Sequence, residues 1–72
     1  LHAQALAARI VSRTESLDAQ PLLGGEVPEY GDPAIREVFE HPYRIIYRLD
    51  GTDVQIVAVI HSARRLPRTP PS

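Results

Sequence analysis

Residues 43 to 61 read YRIIYRLDGTDVQIVAVIH, two runs rich in Ile, Val and Tyr that meet at Asp50-Gly51. Strand side chains alternate between two faces and Asp-Gly suits a tight connection, so this stretch predicts an antiparallel hairpin. With Asp50-Gly51 as the central turn residues, Tyr47 faces Val54, Ile45 faces Ile56 and Arg48 faces Asp53. A turn at Gly51-Thr52 would set Asp50 directly opposite Asp53, a like-charge pair that costs stability, so Asp50-Gly51 is the preferred reading. The two registers differ by two residues and so leave the faces unchanged. Tyr43, Ile45, Tyr47 and Leu49 align with Val54, Ile56, Ala58 and Ile60, the expected floor for a helix. The opposite face holds Arg44, Ile46, Arg48, Gln55, Val57, Val59 and His61, which is less polar than a fully solvated sheet face.

Upstream, IREVFE (35–40) reads as a third strand, and His41-Pro42 supplies a two-residue turn that sets Glu37 opposite Ile46 and diagonal to Arg44 and Arg48. A cross-strand charge cluster is one account of those two arginines. Residues 1–19 space Ala3, Leu6, Ala7, Ile10, Thr14 and Leu17 at intervals of three and four, the apolar stripe of an amphipathic helix. His2, Gln4, Arg9, Arg13 and Asp18 fall mostly elsewhere, and Pro21 with Gly24-Gly25 ends the pattern. Residues 20–34, QPLLGGEVPEYGDPA, have no sustained period, but Leu22, Leu23, Val27 and Tyr30 make this loop too apolar to be a free linker. It is expected to fold back on the domain. The sum is an α+β fold, one helix on a small antiparallel sheet, with a single domain over 1–67 and a flexible tail over 68–72.

Composition narrows the chemistry. A chain of 72 residues without Cys has neither disulfide nor thiolate metal site to staple its small core, which fits a reducing, cytoplasmic setting. The formal charge of -1 lacks the footprint of a nucleic-acid binder, so no direct nucleic-acid contact is expected and any basic patch is local. No long apolar span or signal peptide appears, so no membrane partner is expected. His2, His41 and His61 lie on separate elements and lack metal-site spacing. Ser12, Ser16 and Ser62 sit in no nucleophile elbow, and Gly24-Gly25 leads to Glu26 and Pro28, not to a phosphate-binding helix start. No metal, no cofactor and no catalytic residue are expected. His61 beside Arg64 and Arg65 is a thin basis for acid-base work on a phosphate, since such chemistry needs several convergent groups.

The combination of a helix, the loop PLLGGEVPEYGDPAIREV, then HPYRIIYRL, an Asp-Gly turn and VQIVAVIHSARRLP resembles the ParE branch of the RelE/ParE toxin superfamily over residues 1 to about 67. These are the toxins of bacterial type II toxin-antitoxin, or plasmid stabilisation, modules. Members that it resembles begin earlier, with one more strand and one more helix. The opening LHAQALAARI reads like a helix already under way, with no capping residue before it, so a shortened N-terminus is the expectation. The RelE-like branch cleaves messenger RNA with basic residues on the strand before the YR strand, the Arg of that YR pair, an Arg after the final strand and a C-terminal Tyr. Here Arg44 alone matches clearly. Ile35 and Glu37 stand around the earlier basic positions, Ala63 stands about where the later Arg falls, and no Tyr follows Tyr47. Losing most of a set of cations that stabilise developing phosphate charge costs powers of ten in rate, so ribonuclease activity is disfavoured.

The ParE-like branch instead poisons DNA gyrase without doing chemistry. The resemblance therefore implies a non-enzymatic toxin that inhibits DNA gyrase and forms a hetero-oligomer with a cognate antitoxin that neutralises it. Arg44, Arg48, His61, Arg64 and Arg65 are the expected partner contacts. A ribosome-dependent endoribonuclease resting on Arg44 and an inactive remnant that still binds antitoxin are the alternatives.

Overall fold

A computed structural model describes residues 2–71, with the side chains of His2 and Ala3 outside the description. The chain runs α1 (His2–Ala19), β1 (Gly25–Glu26), β2 (Ile35–Glu40), β3 (Tyr43–Asp50) and β4 (Asp53–His61). The strands form one antiparallel sheet in the order β1-β2-β3-β4. This is the expected α+β architecture, with one strand more than the three-stranded meander because the 20–34 loop lends Gly25–Glu26 to the edge of β2. Among the described residues no helix is long and apolar enough to cross a membrane.

The helix ends where Pro21 withholds its N–H and pushes Gln20 out of helical space. Leu17 is fully buried and Ile10 packs beside it, whereas Ala7 faces solvent, so the stripe docks mainly through its second half. Ala3, the first residue of that stripe, lies outside the described side chains. Arg9 and Arg13, one turn apart, both reach Glu40 at the end of β2, at 2.9 and 3.3 Å. They fix the helix across the sheet.

The hairpin differs from the sequence expectation in two ways. Asp50 pairs with Asp53, so Gly51-Thr52 forms the turn. Gly51 has φ +63° and, among the described residues, no non-glycine residue has positive φ, which excludes the Asp50-Gly51 type I′ turn and fits glycine leading a type II′ turn. Both aspartates are exposed, so water screens the repulsion that argued against this register.

The second difference is a β-bulge. Ile46 pairs with Ala58 and Tyr47 with Ile56, leaving Val57 without an opposite number. Side-chain parity reverses beyond it. Val59 and His61 join Ile45 and Tyr43 on the helix face, while Ala58 and Ile60 turn to the other face with Ile46 and Arg44. The face assignments made above for Ala58, Val59, Ile60 and His61 are thereby corrected.

Each face carries its own core. Under the helix lie Leu17, Val38, Ile45 and Tyr47, with Ile10, Leu49 and Val54 around them. On the reverse, Val27, Ile35 and Ile46 are buried under Tyr30 of the loop and Leu66 from the segment after β4. That cover explains why the second face is so apolar: it is an interior.

Candidate functional site

Arg44 and Glu37 come together because the His41-Pro42 turn sets Arg44 opposite Phe39 and leaves Glu37 one diagonal step away on the same face. Arg44 Nε donates to Glu37 Oε1 at 2.6 Å, and its Nη1 and Nη2 donate to the two oxygens of Glu29 at 2.9 and 3.1 Å. Glu29 sits on the turn in which Val27 O accepts from both Tyr30 N and Gly31 N. A planar guanidinium thus joins two strands and the loop through one single and one bidentate contact. The Phe39 ring lies 5.8 Å from the guanidinium carbon.

Arg44 is only 9% exposed and Glu37 8%. The hydrogen bonds that Arg44 donates to Glu29, then to Glu37, hold its pKa above its ordinary value against the opposing effect of burial. The Arg44 hydrogen bond holds the Glu29 carboxyl below the usual glutamate value. Burial, followed by the Glu29 charge, pushes the Tyr30 phenol up. The charge-cluster account of Arg44 therefore holds, and its availability as an outward partner contact does not.

A second set of bonds organises the loop from Tyr47, which is fully buried. Its hydroxyl donates to Pro21 O at 2.8 Å and accepts from Gly24 N at 3.0 Å, while Arg36 Nε donates to Gly24 O at 2.9 Å. A Cβ on Gly24 would collide with the Glu37 carbonyl oxygen and come within 2.7 Å of the Tyr47 hydroxyl. Close backbone approach requires glycine there. Alongside runs an open groove of about 360 Å³ between Arg13, Leu23 and Phe39. Its cation is already engaged: Arg13 Nη2 donates to Phe39 O at 3.1 Å, and its Nε faces Glu40.

The five residues read as partner contacts do not form one site. His61 stands on the helix face, its ring edge-on to Tyr43 at 5.5 Å and 77°. Its Nδ1 accepts from Ala63 N at 3.1 Å, the geometry of a strand-end histidine bound to its own neighbour. Arg48 is half-buried on the opposite face, across from Ile35. Arg64 and Arg65 are exposed just beyond β4. Among the described residues, none of Arg48, Arg64 and Arg65 forms an ion pair, and no cluster of acidic or imidazole ligands could hold a metal ion.

Sequence reasoning missed Glu29. The signal was its place between Val27 and Tyr30, two apolar loop residues that had to pack on the sheet and so carried the carboxylate to Arg44. Tyr30 in turn donates to Pro67 O at 2.7 Å, tying the loop to the segment after β4.

Among known protein families, residues 1–66 match the one described as the ParE toxin of the type II toxin-antitoxin system, parDE. No curated protein and no solved structure matches the chain.

Proposed function

Because the chain belongs to the ParE toxin family of type II toxin-antitoxin systems, we propose that it acts by binding DNA gyrase without chemistry and is neutralised when its cognate antitoxin binds it. The observation that carries a non-enzymatic reading is the state of Arg44, the cation that matches the ribonuclease pattern of the RelE-like branch. It is buried against Glu37 and Glu29, so its charge is spent inside the fold and is not presented to an RNA phosphate. His61, the remaining acid-base candidate, lies on the other face of the sheet.

Arg64 and Arg65 are the cations placed to meet acidic groups of an antitoxin segment, since both are exposed and without an ion pair among the described residues. In a supercoiling assay the chain is expected to inhibit DNA gyrase, and added antitoxin to restore activity. Cleaved transcripts in a ribosome-containing assay, with gyrase unaffected, would overturn the proposal. Replacing Arg64 and Arg65 together by Glu should weaken antitoxin binding on the order of tenfold, read by calorimetry. Unchanged affinity and unchanged toxicity would remove these two residues from the interface.

A further inference from the structure

Two pieces of chain close the reverse face of the sheet, the turn at 27–31 and the segment 62–67 that follows β4. Tyr30 from the first and Leu66 from the second pack on the buried Val27, Ile35 and Ile46, beside Val57, Ala58 and Ile60. Among the described residues, neither piece enters the core under the helix, which is built on Leu17, Val38, Ile45 and Tyr47. The cover of one face can therefore lift while the other face stays packed, the condition for an opening that stops short of unfolding the chain.

The bonds of the segment show what holds it closed. Ser62 N donates to Pro42 O at 2.8 Å, which ties the segment only where it leaves β4. Just beyond, Arg64 N donates to His61 O at 2.9 Å and Ala63 N to His61 Nδ1 at 3.1 Å; both bonds shape a turn without fixing it on the sheet. The bond that reaches across the fold runs from the Tyr30 hydroxyl to Pro67 O at 2.7 Å, between residues 37 apart in sequence. Tyr30 is held in its turn by its neighbour, because Glu29 accepts two hydrogen bonds from Arg44, at 2.9 and 3.1 Å. Arg44 is a fixed point, buried and bonded to Glu37 on the adjacent strand. Position thus passes from Arg44 to Glu29, from Glu29 to Tyr30, and from Tyr30 to Pro67 and Leu66.

We infer that Glu29 and Tyr30 form a latch that keeps the segment 62–67 closed over the reverse face, and that its release frees Leu66 with Arg64 and Arg65 while the helix side of the sheet stays folded. The latch is built to give way before the rest. The Glu29 side chain is 45% exposed, so water competes for its oxygens, and one neutral hydrogen bond carries the hold onward to Pro67. Arg64 and Arg65 stand on the latched segment, so two residues of a distant loop set where these cations are presented. The latch is independent of the gyrase and antitoxin readings.

Trypsin reads the open state directly, because the bond between Arg65 and Leu66 is a substrate only when Leu66 has left its packing. With opening and closing fast against cleavage, the rate of appearance of the 1–65 product, identified by mass, tracks the open population. Glu29→Gln should raise that rate on the order of tenfold, the weight of a charge-assisted contact. Tyr30→Phe, which keeps the ring and removes the bond to Pro67, should raise it as well. In a Tyr30→Ala background, its fold checked by circular dichroism, Glu29→Gln should add nothing, since its path to the segment is gone. Tyr47→Phe, which loosens the loop from the helix side, should leave the rate unchanged. Equal rates for the parent and Glu29→Gln would overturn the latch, and so would the same acceleration with Tyr30 present and absent. An acceleration by Tyr47→Phe as large as that by Glu29→Gln would mean that cleavage passes through unfolding of the whole chain, and would overturn it too.

Discussion

Replacing Arg44 by Met isolates the electrostatic centre of the fold. The substitution keeps most of the aliphatic stem but removes three charge-assisted hydrogen bonds, one to Glu37 and two to Glu29. Glu29 is largely exposed, its side chain at 45%, and regains water, whereas Glu37 at 8% is left as a buried carboxylate without its partner. Breaking a buried pair from one side costs about 3–5 kcal/mol. A domain of this length has roughly 4–11 kcal/mol in total, so the variant should be near the limit of folding. Adding Glu37→Leu should recover most of the loss, because exchanging a whole buried pair for apolar groups of similar volume is close to neutral. Urea unfolding followed by circular dichroism gives the two single variants, the double variant and hence the coupling. A loss below about 1 kcal/mol for Arg44→Met, or no recovery in the double variant, would refute the buried-clamp reasoning and return Arg44 to the surface.

Three further outcomes follow from the loop's attachment. Tyr47→Phe should cost about 1–3 kcal/mol in the same unfolding assay, since Gly24 N loses its acceptor and Pro21 O its donor in a site closed to water. Gly24→Ala should cost a similar amount, about 1–3 kcal/mol, because the added methyl meets the Glu37 backbone, which cannot rotate away. Glu29 has its folded pKa lowered by the hydrogen bond from Arg44, so its contribution is fully present above the unfolded glutamate value and is lost as pH falls through the folded one. The stability difference between the parent and Glu29→Gln should therefore shrink on acidification from about pH 5 downward, and a difference independent of pH across that range would contradict the contact.

Much of the architecture was legible because it rests on local rules. Apolar spacing in 1–19 named the helix, and β-branched alternation named β2, β3 and β4. The His41-Pro42 turn set Glu37 opposite Ile46, and the diagonal to Arg44 followed from that register. The hairpin turn was misread because a like-charge penalty was weighed as if the tip were shielded. Asp50 and Asp53 stand in water, and glycine's access to positive φ decided the matter at Gly51.

The bulge at Val57 was not legible, since any one residue of an apolar run can be left unpaired without changing the local pattern. It exchanged the faces of four residues and separated His61 from the arginines with which it had been grouped. Likewise, nothing local joins Glu29 to Arg44, fifteen residues away. By itself the sequence determined the helix, the three longer strands, the loop's need to pack and the family resemblance, all of which depend on period, propensity and short-range turns. Tertiary structure alone decided which arginine is consumed in the interior and which remain outside. That choice depends on where a loop carboxylate lands and how one extra residue turns a strand, and only packing of the whole chain fixes either.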